Sequence, residues 1–323
     1  MIFECEADFE EALIAVLKQH GWDDAGGVLK YPTEDDLIQN WADILYQNNI
    51  GKDRLNGCPL TPGEMAQVIE QIEMLKTPLA LNSFINGKTV SIKRDNPDDK
   101  AHLGKEVSLK IYDRHEIAAG QSRYQIAQQP RYRAKSKLLN SRRGDVCLLI
   151  NGMPVIHIEL KRSGVPVSQA VHQIEKYAHE GIFTGLFRLV QVFVAMNPDD
   201  AVYFANPGTG AFNPSYQFHW ADLNNEPMCA NLPEKQGCDE WKRFASRLLS
   251  IPMAHQLIGF YTIADTSDGA LKVLRSYQYY AVNAIADRVR TCRWDEPVPT
   301  GTPGRLGGYI WHTTGSGLSL IHI

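Results

Sequence analysis

Asp145, Glu159 and Lys161 lie around an Asn151-Gly152 dipeptide, and their types and spacing could support hydrolytic chemistry. The flanking runs, Val146 to Ile150 and Val155 to Leu160, are β-branched and apolar, the pattern of two strands joined by a tight hairpin. Side chains alternate faces along a strand, so Glu159 and Lys161 project together while Leu160 points into the packing layer. The hairpin folds Asp145 back toward them. Hydrolysing a phosphodiester at neutral pH needs a divalent cation to generate hydroxide and offset charge on the scissile phosphate, and hard oxygen ligands suit Mg²⁺. Asp145 and Glu159 are the expected metal ligands, with the Leu160 carbonyl as a candidate third. Lys161 is expected to position or help deprotonate the attacking water. A bare Glu-x-Lys on a strand more often faces solvent on an ordinary hairpin. Here the apolar surroundings and the Asp at the start of the first strand argue for a buried, working cluster.

A helix is expected from about Ser168 to His179, with Ser168 as N-cap. It carries Gln173 and Tyr177 at i and i+4, hence on one face. Upstream, between Gln121 and Gly144, lie Arg123, Arg131, Arg133, Lys135, Lys137, Arg142 and Arg143, with Tyr124 and Tyr132 interleaved and no acidic residue. A formal net charge of −4 is unlike a protein that coats nucleic acid through overall positive charge, so this local patch must supply any DNA contact.

The elements that position these residues follow from periodicity. Phe9, Leu13, Ile14 and Leu17 recur at helical spacing, predicting an opening amphipathic helix that presents Glu10 and Glu11. Helical periods continue from about Glu34 to Leu81, with interruptions near 49–51 and 59–63, and 82–110 alternates like strands broken at Asn86-Gly87. Leu189 to Met196 reads as a buried central strand, and Tyr203 and Phe204 begin another. After Asn206 a Pro- and Gly-bearing polar stretch is expected to be a linker, with helices at 239–249 and 271–290. The fold class is therefore α/β, a mixed central sheet with flanking helices over residues 1–225. Residues 226–323 form a second, mostly helical unit.

The run from Gly144 to Lys161 resembles the PD-(D/E)xK nuclease motif of the restriction (R) subunit of type I restriction-modification enzymes. Gln173 to Tyr177 matches the family's Q-x-x-x-Y element, and Phe193 to Pro198 its next core strand. The resemblance implies a restriction-endonuclease-like fold, with Asp145, Glu159 and Lys161 catalytic and Gln173 and Tyr177 supporting DNA binding or cleavage. It also implies a contribution from a Glu on the first helix, pointing to Glu10 before Glu11. Arg131, Arg142 and Arg143 are the expected DNA contacts. The implied partners are double-stranded DNA, a specificity subunit that reads the target and methyltransferase subunits that complete the complex; the implied cofactor is Mg²⁺.

Leu271 to Ile285 resembles the Q-motif entry of superfamily 2 helicases, with Gln278 as the adenine reader, and Gly308 to Gly317 has the order of a strand and phosphate loop in which Gly315, Ser316 and Gly317 would cradle phosphate. The second unit thus reads as the lead-in to a RecA-like motor. Leu318 stands where that loop needs Lys, so no ATP hydrolysis is expected of this chain and ATP is a cofactor of the full-length protein only. The last six residues are expected to be foreign, through truncation or a disrupted reading frame.

Two other functions fit parts of this pattern: a docking module tethering a motor to partner subunits without cleavage, and a nucleotide-binding motor relic with a structural hairpin. The acidic N-terminus and the absence of a long apolar run predict a cytoplasmic protein with no membrane segment. Six scattered cysteines without a CxxC pair predict reduced thiols, mostly buried.

Overall fold

The predicted apolar stripe of Phe9, Leu13, Ile14 and Leu17 is buried along α1 (Glu6–Gln19). In this computed structural model the described residues are 2–22, 27–117, 122–132, 142–208, 210–265, 269–291 and 310–311. After the short strand β1 (Val28–Lys30) come α2 (Glu34–Asn48), α3 (Pro62–Met74) and α4 (Pro78–Asn86). Capping boxes start α2 and α3: the Thr33 and Thr61 hydroxyls accept from the Asp36 and Glu64 amides, and those carboxylates accept in return from the Thr amides.

The strand-like reading of 82–110 holds only from Thr89 onward. Residues to Asn86 stay helical because Thr77 caps α4, Pro78 sits in its first turn, and Leu81, Asn82 and Ile85 keep helical spacing against the core. Then β2 (Thr89–Lys93) and β3 (Glu106–Lys110) pair antiparallel, each burying alternate side chains.

The main sheet has the order β1-β4-β7-β8-β9-β10. Its remaining strands are β4 (Tyr124–Gln128), β7 (Val146–Ile150), β8 (Met153–Leu160), β9 (Val192–Met196) and β10 (Ala201–Ala205), and a small ribbon of β5 (Arg131–Tyr132) and β6 (Arg142–Arg143) lies between β4 and β7 in sequence. Pairs β1/β4 and β8/β9 are parallel and the others antiparallel, so the sheet is mixed, as predicted. The parallel crossover from β8 to β9 runs through α5 (Val167–His179) and a 3₁₀ turn (Gly185–Leu189) that occupies the start of the expected 189–196 strand. Ala170, Val171 and Ile174 of α5 pack on Phe193 and Ala195, while Val192, Val194 and Met196 join a larger cluster that includes α1. Pro166, not Ser168, occupies the N-cap of α5, and no side chain caps it. Proline's fixed φ sets the helical entry two residues early, leaving Ser168 exposed.

The stretch expected as a linker is strapped to the sheet. Tyr203 and Phe218 exchange backbone hydrogen bonds of 2.9 and 3.0 Å, the Ala201 amide donates to the Cys229 carbonyl, and Trp220, Met228 and Cys229 are buried. Its apolar residues follow no regular period, so alternation could not reveal them. Beyond it, α6 (Glu240–Leu248) sets Trp241 edge-on to Phe3 and Phe9 at 5.8 and 5.2 Å, so residues on both sides of position 225 share one core. Next come α7 (Met253–Gly259), the antiparallel pair β11 (Thr262–Ala264) and β12 (Leu271–Val273), and α8 (Ser276–Thr291). The helix predicted from 271 therefore starts at Ser276, because Leu271 and Val273 are drawn into pairing with β11. Of the five described cysteines, all free, only Cys147 and Cys229 are buried; Cys5 and Cys238 are exposed, so the expectation of mostly buried thiols fails. No helix among the described residues is long and apolar enough to cross a membrane.

Candidate active site

The hairpin between β7 and β8 turns in two residues, Asn151 and Gly152, at φ values of 51° and 83°. A type I′ turn needs positive φ at both central positions, which Asn-Gly tolerates. In the register nearest the turn, Ile150 pairs with Met153; continued unbroken, it would put Asp145 opposite Ile158, on the wrong face for Glu159. A bulge at Leu148/Leu149 shifts the pairing by one, to Leu148 with Ile156 and Val146 with Ile158, so Asp145 falls opposite Glu159. The slip occurs beside Pro154, which has no N–H for the ladder. One extra residue in β8 thus gathers the acidic groups on one face.

The Leu160 amide donates to Asp145 Oδ2 at 2.7 Å, fixing that carboxylate against the end of β8. Glu159 is fully buried; its Oε1 accepts no hydrogen bond and lies 3.9 Å from Lys161 Nζ. Lys161 Nζ also lies 3.4 Å from Glu6 Oε1 and donates at 2.8 Å to the Leu160 carbonyl, the candidate third ligand. Burial pushes the Glu159 carboxyl up to about 8 against the opposing pulls of Lys161 and of the Asp145 carboxyl, which lies within hydrogen-bond reach of it. Asp145 is raised well above the ordinary range, first by burial and then by the Glu159 charge. Glu10, 3% exposed, accepts from Gln128 at 2.7 Å and from Gln129 at 3.0 and 3.2 Å. Its carboxyl too is raised by burial, and its charge is felt at both Asp145 and Glu159. Glu11 is exposed. Of the two glutamates offered by the first helix, Glu10 therefore joins the cluster.

His157 stands in this site without having been singled out from the sequence, and beside it stands Tyr132, expected instead in the basic patch. His157 Nε2 lies 3.3 Å from Glu159 Oε2 and its Nδ1 3.0 Å from the Tyr132 hydroxyl. Burial lowers His157 to about 4, so the ring is neutral at physiological pH. The signal available was spacing: His157, Glu159 and Lys161 form one i, i+2, i+4 series on β8. Glu6, one turn before Glu10 on α1, was also missed. Gln173 donates at 2.7 Å to the Tyr177 hydroxyl, which donates at 3.0 Å to the Arg143 carbonyl, so the pair at i and i+4 fastens α5 to β6, two residues before Asp145.

The family described as "Type I restriction enzyme R protein N terminus" matches residues 4–212. This chain belongs to that family. It is 29% identical, over 99% of its own length, to the type I restriction enzyme SsaAORF53P endonuclease subunit of Staphylococcus saprophyticus, and 27% identical over the same share to the SauMSSORF170P endonuclease subunit of Staphylococcus aureus. It covers about 30% of the length of each. The EcoprrI endonuclease subunit of Escherichia coli is 30% identical over 50% of both chains.

The basic residues of this R-protein N terminus are only partly described. Arg131 and Arg143 are exposed and face each other across the β5/β6 ribbon. Arg142 makes a two-pronged ion pair with Glu180, both contacts at 2.8 Å. Arg133, Lys135 and Lys137 lie outside the described residues. Tyr124 and Tyr132, expected among the exposed basic groups, are instead buried at 9% and 2% exposure. Each has a hydroxyl partner inside, His255 for Tyr124 and His157 for Tyr132, which draws the rings into the core. Gln278 sits in the first turn of α8 and accepts from the Arg275 amide at 3.0 Å. Gly315, Ser316 and Gly317 lie outside the described residues, as do the last six.

Proposed function

We propose that Asp145, Glu159 and Lys161 cleave DNA endonucleolytically with Mg²⁺, as the nuclease part of a type I restriction subunit. The observation that carries this reading is the convergence of a buried carboxylate (Glu159), a partly buried one (Asp145) and an ammonium at one end of β8, with the Glu159 Oε1 accepting no hydrogen bond. Two facing carboxylates of raised pKa are unfavourable when both ionised, and a hard cation between them relieves that repulsion. Among the described residues no three His, Cys, Asp or Glu side chains make a preformed cage. This donor set suits an ion that keeps several waters and takes only one or two protein carboxylates, as Mg²⁺ does.

Asp145 and Glu159 would hold the cation, with the Leu160 carbonyl beside them. Mg²⁺, when bound, supplies Lewis acidity and positive charge at the scissile phosphate. Lys161, anchored by the Leu160 carbonyl and braced by Glu6, places an ammonium where it can orient water and offset developing negative charge. Gln173 and Tyr177 hold the strand that carries Arg142 and Arg143, and we assign Arg131, Arg142 and Arg143 to the DNA backbone. The chain spans about 30% of the length of its relatives, and in a protein of their length we assign ATP-driven translocation to a motor C-terminal to the shared core, with Gln278 as its adenine contact and residues 315–317 as an incomplete phosphate loop. Methyltransferase and specificity subunits are the proposed partners, and the cytoplasm the proposed compartment.

The test is a reconstituted restriction complex cutting a plasmid that bears its target. Asp145→Ala, Glu159→Ala and Lys161→Ala should each lower cleavage by at least ~10²-fold, the equivalent of about 3 kcal/mol of transition-state stabilisation, while assembly and ATP-dependent translocation persist. Loss of assembly with each variant would instead support the docking module. The isolated chain should hydrolyse no ATP, and measurable turnover would refute the incomplete-motor reading.

A further inference from the structure

We propose that His157, held in one tautomer by Tyr132, is a positioning residue that turns Glu159 so that a single carboxylate oxygen, Oε1, faces the cation. The inference rests on the reading of Glu159 as a metal ligand. A ligating carboxylate accepts hydrogen bonds and cannot donate them. Once Glu159 is ionised as a ligand, the His157 nitrogen that meets its Oε2, 3.3 Å away, must therefore be Nε2–H. In a neutral ring Nδ1 is then an acceptor, and the hydroxyl 3.0 Å away, that of Tyr132, donates to it. Oε2 is thereby occupied, and Oε1 is the oxygen without a hydrogen-bond partner. All three side chains are buried, so their hydrogen bonds face little competition from water.

Two further features fit this arrangement. A Cβ at Gly144 would come within 2.5 Å of the Tyr132 hydroxyl and 2.8 Å of His157 Cε1, so glycine there leaves the room in which phenol and imidazole meet. Edge-on contacts from Phe183 at 5.4 Å and Phe193 at 6.1 Å fix the plane of the imidazole. The device resembles the outer-shell partners that orient ligands in other metal sites, with the roles reversed: here an imidazole orients a carboxylate.

The experiment titrates Mn²⁺ into the chain by calorimetry, with thermal unfolding as a control, and measures single-turnover cleavage by the reconstituted complex. His157→Phe should weaken Mn²⁺ binding tenfold or more and slow cleavage at saturating DNA, leaving the DNA concentration for half-maximal rate unchanged. His157→Gln, which restores an N–H at the position of Nε2, should recover most of the binding. Tyr132→Phe should weaken it at least threefold, and carries the test if His157→Phe does not fold. Wild-type Mn²⁺ affinity in His157→Phe or Tyr132→Phe, or a folded His157→Gln no better than His157→Phe, overturns the proposal. Glu159→Ala separates the two levels: if it binds Mn²⁺ as wild type does, the metal-ligand reading itself fails, whereas if it loses binding while His157→Phe keeps it, only the positioning role fails.

Discussion

The folded chain holds a proton on Glu159 to about pH 8, whereas the unfolded chain releases it near 4.5. Between those values the native state binds more protons, so stability falls as pH rises and levels off above about 8. In chelator, wild type should therefore lose stability relative to Glu159→Gln as pH rises from about 5 to 8, because the amide has no proton to lose. Denaturant midpoints measured in parallel check this, and parallel curves for the two proteins would contradict it. The contribution of His157 has the opposite sign, being lost as pH falls from 6.5 toward 4, and is present in both proteins. Adding Mg²⁺ at pH 8 should raise the wild-type midpoint and leave Glu159→Gln nearly unmoved, a metal dependence that thermal scans can read directly. Asp145, Glu159 and Lys161 were legible as residues because strand alternation and the turn dipeptide are local signals. Glu6 was not, since its partner, Lys161, is remote in sequence.

At the scale of elements, the hairpin decides whether the site exists. Gly152 has φ of 83°, and a Cβ there would lie 2.9 Å from the Trp41 Cα of α2. Gly152→Ala should cost at least ~1–3 kcal/mol in urea denaturation through backbone strain and this clash, and an unchanged midpoint would count against the turn geometry. Tyr177→Phe removes the donor to the Arg143 carbonyl and should cost about 1 kcal/mol while loosening β6. The existence of the hairpin was readable from Asn-Gly between apolar runs. Its register was not: an unbroken ladder would have split Asp145 from Glu159, and only the bulge at Leu148/Leu149 reunites them. Pro154 was a visible hint of irregular pairing, but proline alone does not say which way a register slips. The shift of the α5 cap from Ser168 to Pro166 is of the same kind, a local competition between side-chain capping and a preset φ.

For the molecule as a whole, the mixed sheet with flanking helices followed from the order of periodic segments, while the packing of the C-terminal part did not. Trp220 and Met228 sit in irregular, Pro-bearing sequence and Trp241 on the regular helix α6, and the burial of Trp220 and Trp241 depends on surfaces supplied by β10 and α1, remote in sequence. Trp241→Ala should cost about 3–5 kcal/mol, as expected for a large aromatic removed from a core. A chain ending at residue 225 should lose α1 packing and aggregate, and a stable monomer of that length would show that the nuclease unit does not need α6. The central claim is that Asp145 and Glu159 share a divalent cation. Anomalous diffraction from crystals soaked in Mn²⁺ tests it most directly: the account predicts a peak between the two carboxylates that vanishes in Glu159→Ala, and Mn²⁺ bound elsewhere with that position blank would contradict it.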